Sequence, residues 1–235
     1  MQISKKTAVL LFVFIVSACL AAQCCAQRIY ELVDTPTADA LDNYGYNLSF
    51  RFYTGGGVLT KAAFGVLQRI NIGFSWDLDN VVGSEKIDVQ QPALNAKLRI
   101  FDGDMFVPAF ALGYDGQGYG YDKQEKEYTQ REKGVYLVAT NEIFVPGLQY
   151  NIGGYIYDFD DDVIFGFCGL SMSLGNSIAL IAEYDNIRKR KENRFNGGLR
   201  LYVTPTILVD LVGRDMGSSG RDAERIIRVS YIGIF

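Results

Sequence analysis

Histidine is absent from the 235 residues. That removes the Ser-His-Asp triad, the Cys-His pair and histidine-ligated zinc from consideration. Cysteine is scarce, and three of the four (Cys19, Cys24 and Cys25) sit in the N-terminal segment. Cys168 is then alone and has no internal disulfide partner; within "FGFCGL" it reads as a small apolar side chain on a strand. Proline occurs five times and tryptophan once. The net charge is −4, with no sustained basic stripe, so nucleic acid is not an expected partner. Long apolar runs are missing as well. The most apolar stretch, "TAVLLFVFIV" at 7–16, falls short of the ~20 residues that a spanning helix needs. Beyond it, no segment sustains an apolar period of 3.6.

The N-terminus has the form of a targeting segment. Lys5 and Lys6 supply a positive n-region before the apolar stretch, and cleavage after Ala26 would use Cys24 as the small upstream residue. A competing reading takes "VSAC" at 16–19 as a lipoprotein box with Cys19 lipidated, although "LAAQCCAQ" continues the small-residue character past it. Both readings predict export. The expected organisation is a signal peptide at 1–26, an N-terminal periplasmic segment at 27–43 and a barrel at 44–235.

What is abundant is glycine, tyrosine and phenylalanine, arranged with period two. In "YNLSFRFY", Tyr46, Leu48, Phe50 and Phe52 alternate with Asn47, Ser49, Arg51 and Tyr53. "INIGFSW" puts Ile70, Ile72, Phe74 and Trp76 on one face, and "LNAKLRIF" opposes Leu94, Ala96, Leu98 and Ile100 to Asn95, Lys97 and Arg99. Twelve such runs can be marked, the last of them "RVSYIGIF" at the C-terminus. Connections after even-numbered runs are brief ("LQR", "DGDM", "PG", "GN", "TPT"), and most of the others are longer and more polar. An even number of strands, with short turns on one side and long loops on the other, predicts an all-β fold: a transmembrane antiparallel up-and-down β-barrel in the bacterial outer membrane.

Directing Phe235 outward sets the register. It sends Arg51, Lys61, Asp77, Lys97, Arg99, Asp115, Glu142, Glu183, Asp185, Arg200, Asp210, Arg214 and Arg228 into the lumen. A charge facing mid-bilayer lipid costs roughly 2–4 kcal/mol, so this sorting agrees with a lipid-facing exterior. The inward set is either a mutually satisfied salt-bridge network or a polar pathway in which rings of one sign select solutes. The last strand is expected to pair with the first, leaving no open edge. Tyr231 and Phe235 resemble the terminal aromatic signal read by the outer-membrane barrel-assembly machinery.

Three stretches resemble the YjbH family of exported bacterial β-barrel proteins. They are "DTPTA" at 34–38, "LNAKLRIFDGDMFVPAFALGYDGQGYG" at 94–120, and "YLVAT" at 136–140, which is followed by Asn141 where a lysine is expected. The resemblance covers about the middle third of the chain. It implies an outer-membrane barrel associated with exopolysaccharide production or export, although family members are far longer.

Other clusters read as loop chemistry. "GYDGQGYGYD" has G-x-G spacing but no following helix and no Lys-Ser/Thr pair, so it is not a phosphate loop. It reads as a flexible strand end running into an outer loop; the alternative is that Asp115 ties the loop to a lumen arginine. "DFDDD" lacks the spacing of a calcium loop and reads as a solvated turn. Arg188, Lys189, Arg190 and Lys191 lie on the long-loop side, either simply solvated or positioned to meet lipopolysaccharide phosphates. No catalytic, metal or cofactor site is expected. The leading expectation is a monomeric, non-enzymatic barrel assisting exopolysaccharide export; the alternatives are a narrow channel for small or anionic solutes and a structural or surface-binding barrel. Lipid, lipopolysaccharide, the assembly machinery and polysaccharide are the expected partners.

Overall fold

Alternating sequences with an apolar outward face make strands, and closure gives every backbone N–H and C=O in the ladder a partner that lipid cannot supply. A computed structural model describes residues 29–122, 127–143, 145–160, 163–188, 192–217 and 222–235. The expected signal peptide, the lipidation alternative at Cys19, and Lys189 to Lys191 lie outside the described residues.

Fifteen strands are formed among the described residues. They are β1 (Gly45–Tyr53), β2 (Gly57–Leu67), β3 (Ile70–Asp79), β4 (Asp88–Val89), β5 (Ala93–Phe101), β6 (Ala109–Asp115), β7 (Tyr119–Asp122), β8 (Glu127–Gln130), β9 (Gly134–Glu142), β10 (Leu148–Ile156), β11 (Phe165–Leu174), β12 (Ile178–Ile187), β13 (Arg194–Tyr202), β14 (Ile207–Arg214) and β15 (Glu224–Ile234). Three are accessory: β4 pairs on the outer end of β3, and β7–β8 is a separate hairpin inside the loop between β6 and β9. The remaining twelve form a closed barrel in which each strand pairs antiparallel with its neighbour in the chain.

Closure is made by β1 against β15, with Gly45 opposite Ile234 and Phe52 opposite Ile227. The Phe235 N–H donates to the Tyr44 carbonyl at 3.0 Å. The Phe235 ring lies 4.7 Å from that of Tyr46 on β1 and 6.4 Å from that of Phe64 on β2. The last aromatic therefore packs across the seam that it closes.

The two faces separate as the alternation dictates. Ile72, Phe74, Trp76, Leu98, Leu137, Leu170, Leu180, Leu199, Leu211 and Ile227 are exposed on the outside. Asn71, Ser75, Asp77, Lys97, Glu183, Asn196, Arg200 and Asp210 are buried inside. Short turns follow β2, β5, β9, β11 and β13. After β9, Pro146–Gly147 makes a type II turn: Gly147 takes φ 82°, and the Leu148 N–H donates to the Val145 carbonyl at 3.0 Å. After β5, the Asp104 carboxylate accepts from the Phe106 and Val107 N–H groups (2.7 and 2.8 Å), which hold it below its ordinary pKa.

The interior is two-sided. Tyr136, Val138, Tyr155, Phe165 and Phe167 on β9 to β11, with Ala109 and Ala111 on β6, form an apolar wall around Ala38. The wall made by β12 to β15 and β1 carries most of the charge.

A charge forced onto the lipid face should be costly. Leu199→Arg, at an outward mid-strand position on β13, should destabilise the barrel by roughly 2–4 kcal/mol. Equilibrium unfolding from lipid vesicles measures this, and an unchanged midpoint would contradict the outward assignment.

Candidate functional site: a lumen closed by the chain itself

Residues 29–41, within the stretch expected as a periplasmic segment, lie folded inside the lumen. The segment doubles back as a tight hairpin. Glu31 bridges Pro36, and the Leu32 N–H donates to the Thr35 carbonyl at 3.0 Å. The Thr37 hydroxyl donates to the carbonyls of Ile29 and Tyr30. The physical reason for its position is polar satisfaction. Thirteen residues of irregular backbone can be buried only where N–H and C=O groups find partners, and the lumen side chains supply them.

The tip is held by Glu183 on β12. Its carboxylate accepts from the N–H groups of Val33 (3.0 Å), Asp34 (2.9 Å) and Thr35 (3.0 Å), from the Thr35 hydroxyl (2.7 Å) and from the Asn196 amide (2.7 Å). Three successive amides thus cradle one anion, a nest whose ligand is a wall side chain. Gly169 on β11 lets the tip approach this closely: a Cβ there would lie 2.3 Å from Leu32 Cδ1.

On the charged wall, Arg51, Arg200, Arg214 and Arg228 reach the hairpin. Arg51 Nη2 donates to Asp34 Oδ1 (2.7 Å) and to the Val33 carbonyl (2.5 Å). Arg214 Nε donates to Asp34 Oδ2 at 2.7 Å. Arg228 donates to Glu31 (2.7 Å), to the Val33 carbonyl (3.2 Å) and to the Leu32 carbonyl. Arg200 reaches the Glu31 carbonyl at 3.0 Å and shares Asp210 with Arg228.

Opposite, Lys97 donates to the Tyr30 and Asp39 carbonyls (2.9 and 3.0 Å), with its ammonium 3.6 Å from the Tyr30 ring centroid. Arg99 pairs with Asp39 at 3.3 Å. Lys61 lies between Glu31 (3.6 Å) and Asp115 (3.5 Å). The Ala38 N–H donates to Thr140 Oγ1, and the Leu41 N–H to Asn71 Oδ1.

The long loop between β6 and β9 folds over the tip from the other end. The Tyr119 hydroxyl, at the start of β7, accepts from Arg51 Nη1 (2.6 Å) and donates to Asp34 Oδ1 (3.0 Å). Gln130 accepts from Arg194 and Arg214. Lys133 pairs with Asp185 at 2.5 Å. A cavity of about 40 Å³ remains beside the hairpin, lined by Glu31, Asn47, Lys61 and Asp115 and large enough for water. A wider recess of about 420 Å³ opens between the hairpin's base and the turn after β13.

Of the thirteen charged residues expected in the lumen, twelve, Arg51, Lys61, Asp77, Lys97, Arg99, Asp115, Glu183, Asp185, Arg200, Asp210, Arg214 and Arg228, project inward and are buried or half-buried. Asp115 meets Lys61 rather than an arginine. Glu142 lies exposed at the rim, where it accepts from the Gly147 N–H. Arg188 is exposed beside the Ile164 carbonyl. What sequence reasoning missed are Glu31, Asp34, Asp39, Tyr119 and Lys133, which complete the network from outside the barrel wall. A signal for them existed: Arg51 lies directly opposite Arg228 across the closing seam, and like charges so placed need something between them.

No family model matches the chain, and no curated protein matches it. Among solved structures, the KdgM porin is similar in fold, with a TM-score of 0.56 and 8% identity over 80% of this chain and 98% of that one. The KdgM porin in complex with disordered oligogalacturonate gives a TM-score of 0.55 at the same identity and coverage. The NanC porin in a rhombohedral crystal form gives 0.44 at 10% identity, over 81% of this chain and 99% of that one. The likeness to the KdgM porin is one of fold, a closed antiparallel β-barrel.

The tip should loosen when its anchor is removed. Glu183→Ala strands three buried amides, and each such loss costs roughly 1–3 kcal/mol. A net loss of about 2 kcal/mol corresponds to roughly 30-fold faster hydrogen exchange at Val33, Asp34 and Thr35. Unchanged protection there would contradict the anchoring role.

Proposed function

We propose that the chain forms an outer-membrane channel for small anionic solutes, held shut by its own N-terminal hairpin. One observation carries the reading. Among the described residues, the hydrogen-bond partners of the buried cations Arg51 and Lys97 are hairpin groups, with the Tyr119 hydroxyl as the single addition. Among those residues, neither is paired to a carboxylate of the barrel wall. With the hairpin withdrawn, both would face water as uncompensated positive charge in a narrow lumen, the arrangement that favours anions. Arg99, Arg214 and Arg228 would each lose one carboxylate as well.

The fold likeness to KdgM supports a transport role over a purely structural one, and the acidic oligosaccharide in the KdgM complex has the charge sign that this lumen suits. Passage of a solute needs no bond to be made or broken, so the reading is of a non-enzyme. It carries with it the expected surroundings: a monomer in outer-membrane lipid and lipopolysaccharide, inserted by the assembly machinery through Tyr231 and Phe235. The resemblance to the YjbH family and its exopolysaccharide role stay an expectation from sequence, with no support from the fold likeness.

Planar-bilayer recording tests the proposal. The intact chain should give rare or no steps. A variant lacking residues 29–41 should give stable steps with anion preference. In that background Lys97→Glu should lower the anion-to-cation permeability ratio several-fold. A silent deletion variant, or one indifferent to Lys97→Glu, would defeat the reading.

A further inference from the structure

Asp34 is bound in a way that differs from the carboxylates carried by the barrel wall. Its Oδ1 takes a guanidinium N–H from Arg51 (2.7 Å) and the Tyr119 hydroxyl (3.0 Å), and its Oδ2 takes Nε of Arg214 (2.7 Å). The three donors come from β1, β14 and the inward-folded loop. They converge on a carboxylate that belongs to none of these elements. The side chains of Arg51, Arg214 and Asp34 are 4%, 7% and 2% exposed. The Tyr119 ring is set against both guanidiniums, 5.1 Å from that of Arg51 and 4.1 Å from that of Arg214. By contrast Asp210, which serves Arg200 and Arg228, is itself a wall residue on β14. A wall that needed only charge balance could have carried the Asp34 carboxylate in the same way.

We propose that Arg51, Arg214 and Tyr119 form a recognition site for the carboxylate of an acidic saccharide, which Asp34 occupies as an internal stand-in ligand. The inference rests on the channel reading and names its substrate class. Two guanidiniums from separate strands, each giving one N–H to a different carboxylate oxygen, match the flat two-oxygen shape of a carboxylate. The Tyr119 hydroxyl adds a third donor. Entry of a solute carboxylate and departure of Asp34 are then one exchange at one site. The Lys97 contacts to the Tyr30 and Asp39 carbonyls hold the hairpin's base, so the ligand competes at the tip before the whole segment moves. Apparent affinity in the intact chain is lowered by the fraction of time that Asp34 occupies the site.

Calorimetry on the intact chain and on Asp34→Asn, with galacturonate, galactose and inorganic phosphate as probes, tests this. The substitution keeps the side chain's size and removes its charge. Galacturonate should bind Asp34→Asn at least tenfold more tightly than the intact chain, roughly the effect of one good charged contact, while galactose should not respond. Adding Arg214→Gln should abolish the gain. An equal gain for galactose, no gain for either sugar, or phosphate binding more tightly than galacturonate would overturn the assignment. Should Asp34→Asn not fold, hydrogen exchange on the intact chain decides. Galacturonate should speed exchange at Val33, Asp34 and Thr35 and galactose should not; identical profiles with the two sugars would overturn the proposal. A hairpin-deleted chain that conducts anions while galacturonate binding ignores Asp34→Asn would defeat the site and keep the channel. A silent deletion with tightened binding would do the reverse.

Discussion

The structure depends on a row of charges that the barrel wall cannot balance alone. Across β13, β14, β15 and β1 the paired register runs Arg200, Asp210, Arg228, Arg51. The first three alternate in sign and satisfy one another, with Asp210 accepting from both arginines beside it. The fourth breaks the alternation: two guanidiniums face each other across the seam where the barrel closes. Opposed like charges in a buried ladder destabilise the pairing, and buried unpaired charge costs several kcal/mol. The hairpin resolves both. The Val33 carbonyl accepts from Arg51 and Arg228 together, Glu31 takes Arg228, and Asp34 takes Arg51. Closure of the cylinder and closure of its lumen are thus joined at one place.

That join accounts for the segment's conformation. A stretch such as "YELVDTPTAD" has no period to make it a strand of the wall and too few apolar residues to fold by itself. It becomes ordered because the lumen offers donors and acceptors at matching positions: the Glu183 carboxylate for three amides, Thr140 and Asn71 for two more, and cations for its carbonyls. Its few apolar groups are divided between the two sides. Ala38 meets the aromatic wall, and Leu32 and Val33 pack with Ile181, Val212 and Ile226.

Much of the fold was legible because the barrel obeys one strict rule. Period-two alternation assigns each strand residue a face, and the lipid face tolerates almost no charge at mid-strand. "INIGFSWD" shows this residue by residue, with Ile70, Ile72, Phe74 and Trp76 exposed and Asn71, Gly73, Ser75 and Asp77 buried. The same rule placed the lumen charges and the closing strand. It says nothing about segments that lie inside the barrel without joining its wall, where neither lipid nor pleat imposes a pattern. Residues 29–43 therefore read as a tail, and "GYDGQGYGYD" as an outer loop, although Tyr119 turns back to meet Arg51 and Asp34. The mismatch of Arg51 with Arg228 was the one mark they left on the wall, and it becomes visible only once the seam's register is known.

The same groups would then shut the lumen and select what passes through it. A lumen cation neutralised by its neighbours on the wall offers a passing anion little, since the local field is already cancelled. A cation neutralised by a removable segment keeps its charge in reserve. Arg51 and Lys97 are of the second kind, whereas Arg200, fixed to Asp210, is closer to the first. Withdrawing the hairpin without a substitute anion would leave buried guanidiniums unpaired, and that cost holds the closed state in place. On the proposed exchange, a solute carboxylate would lower the cost at the point where the hairpin's own carboxylate leaves. On that proposal selectivity and gating would share one electrostatic term, so a change that strengthens the hairpin's hold on Arg51 and Arg214 would also weaken the solute's claim on them.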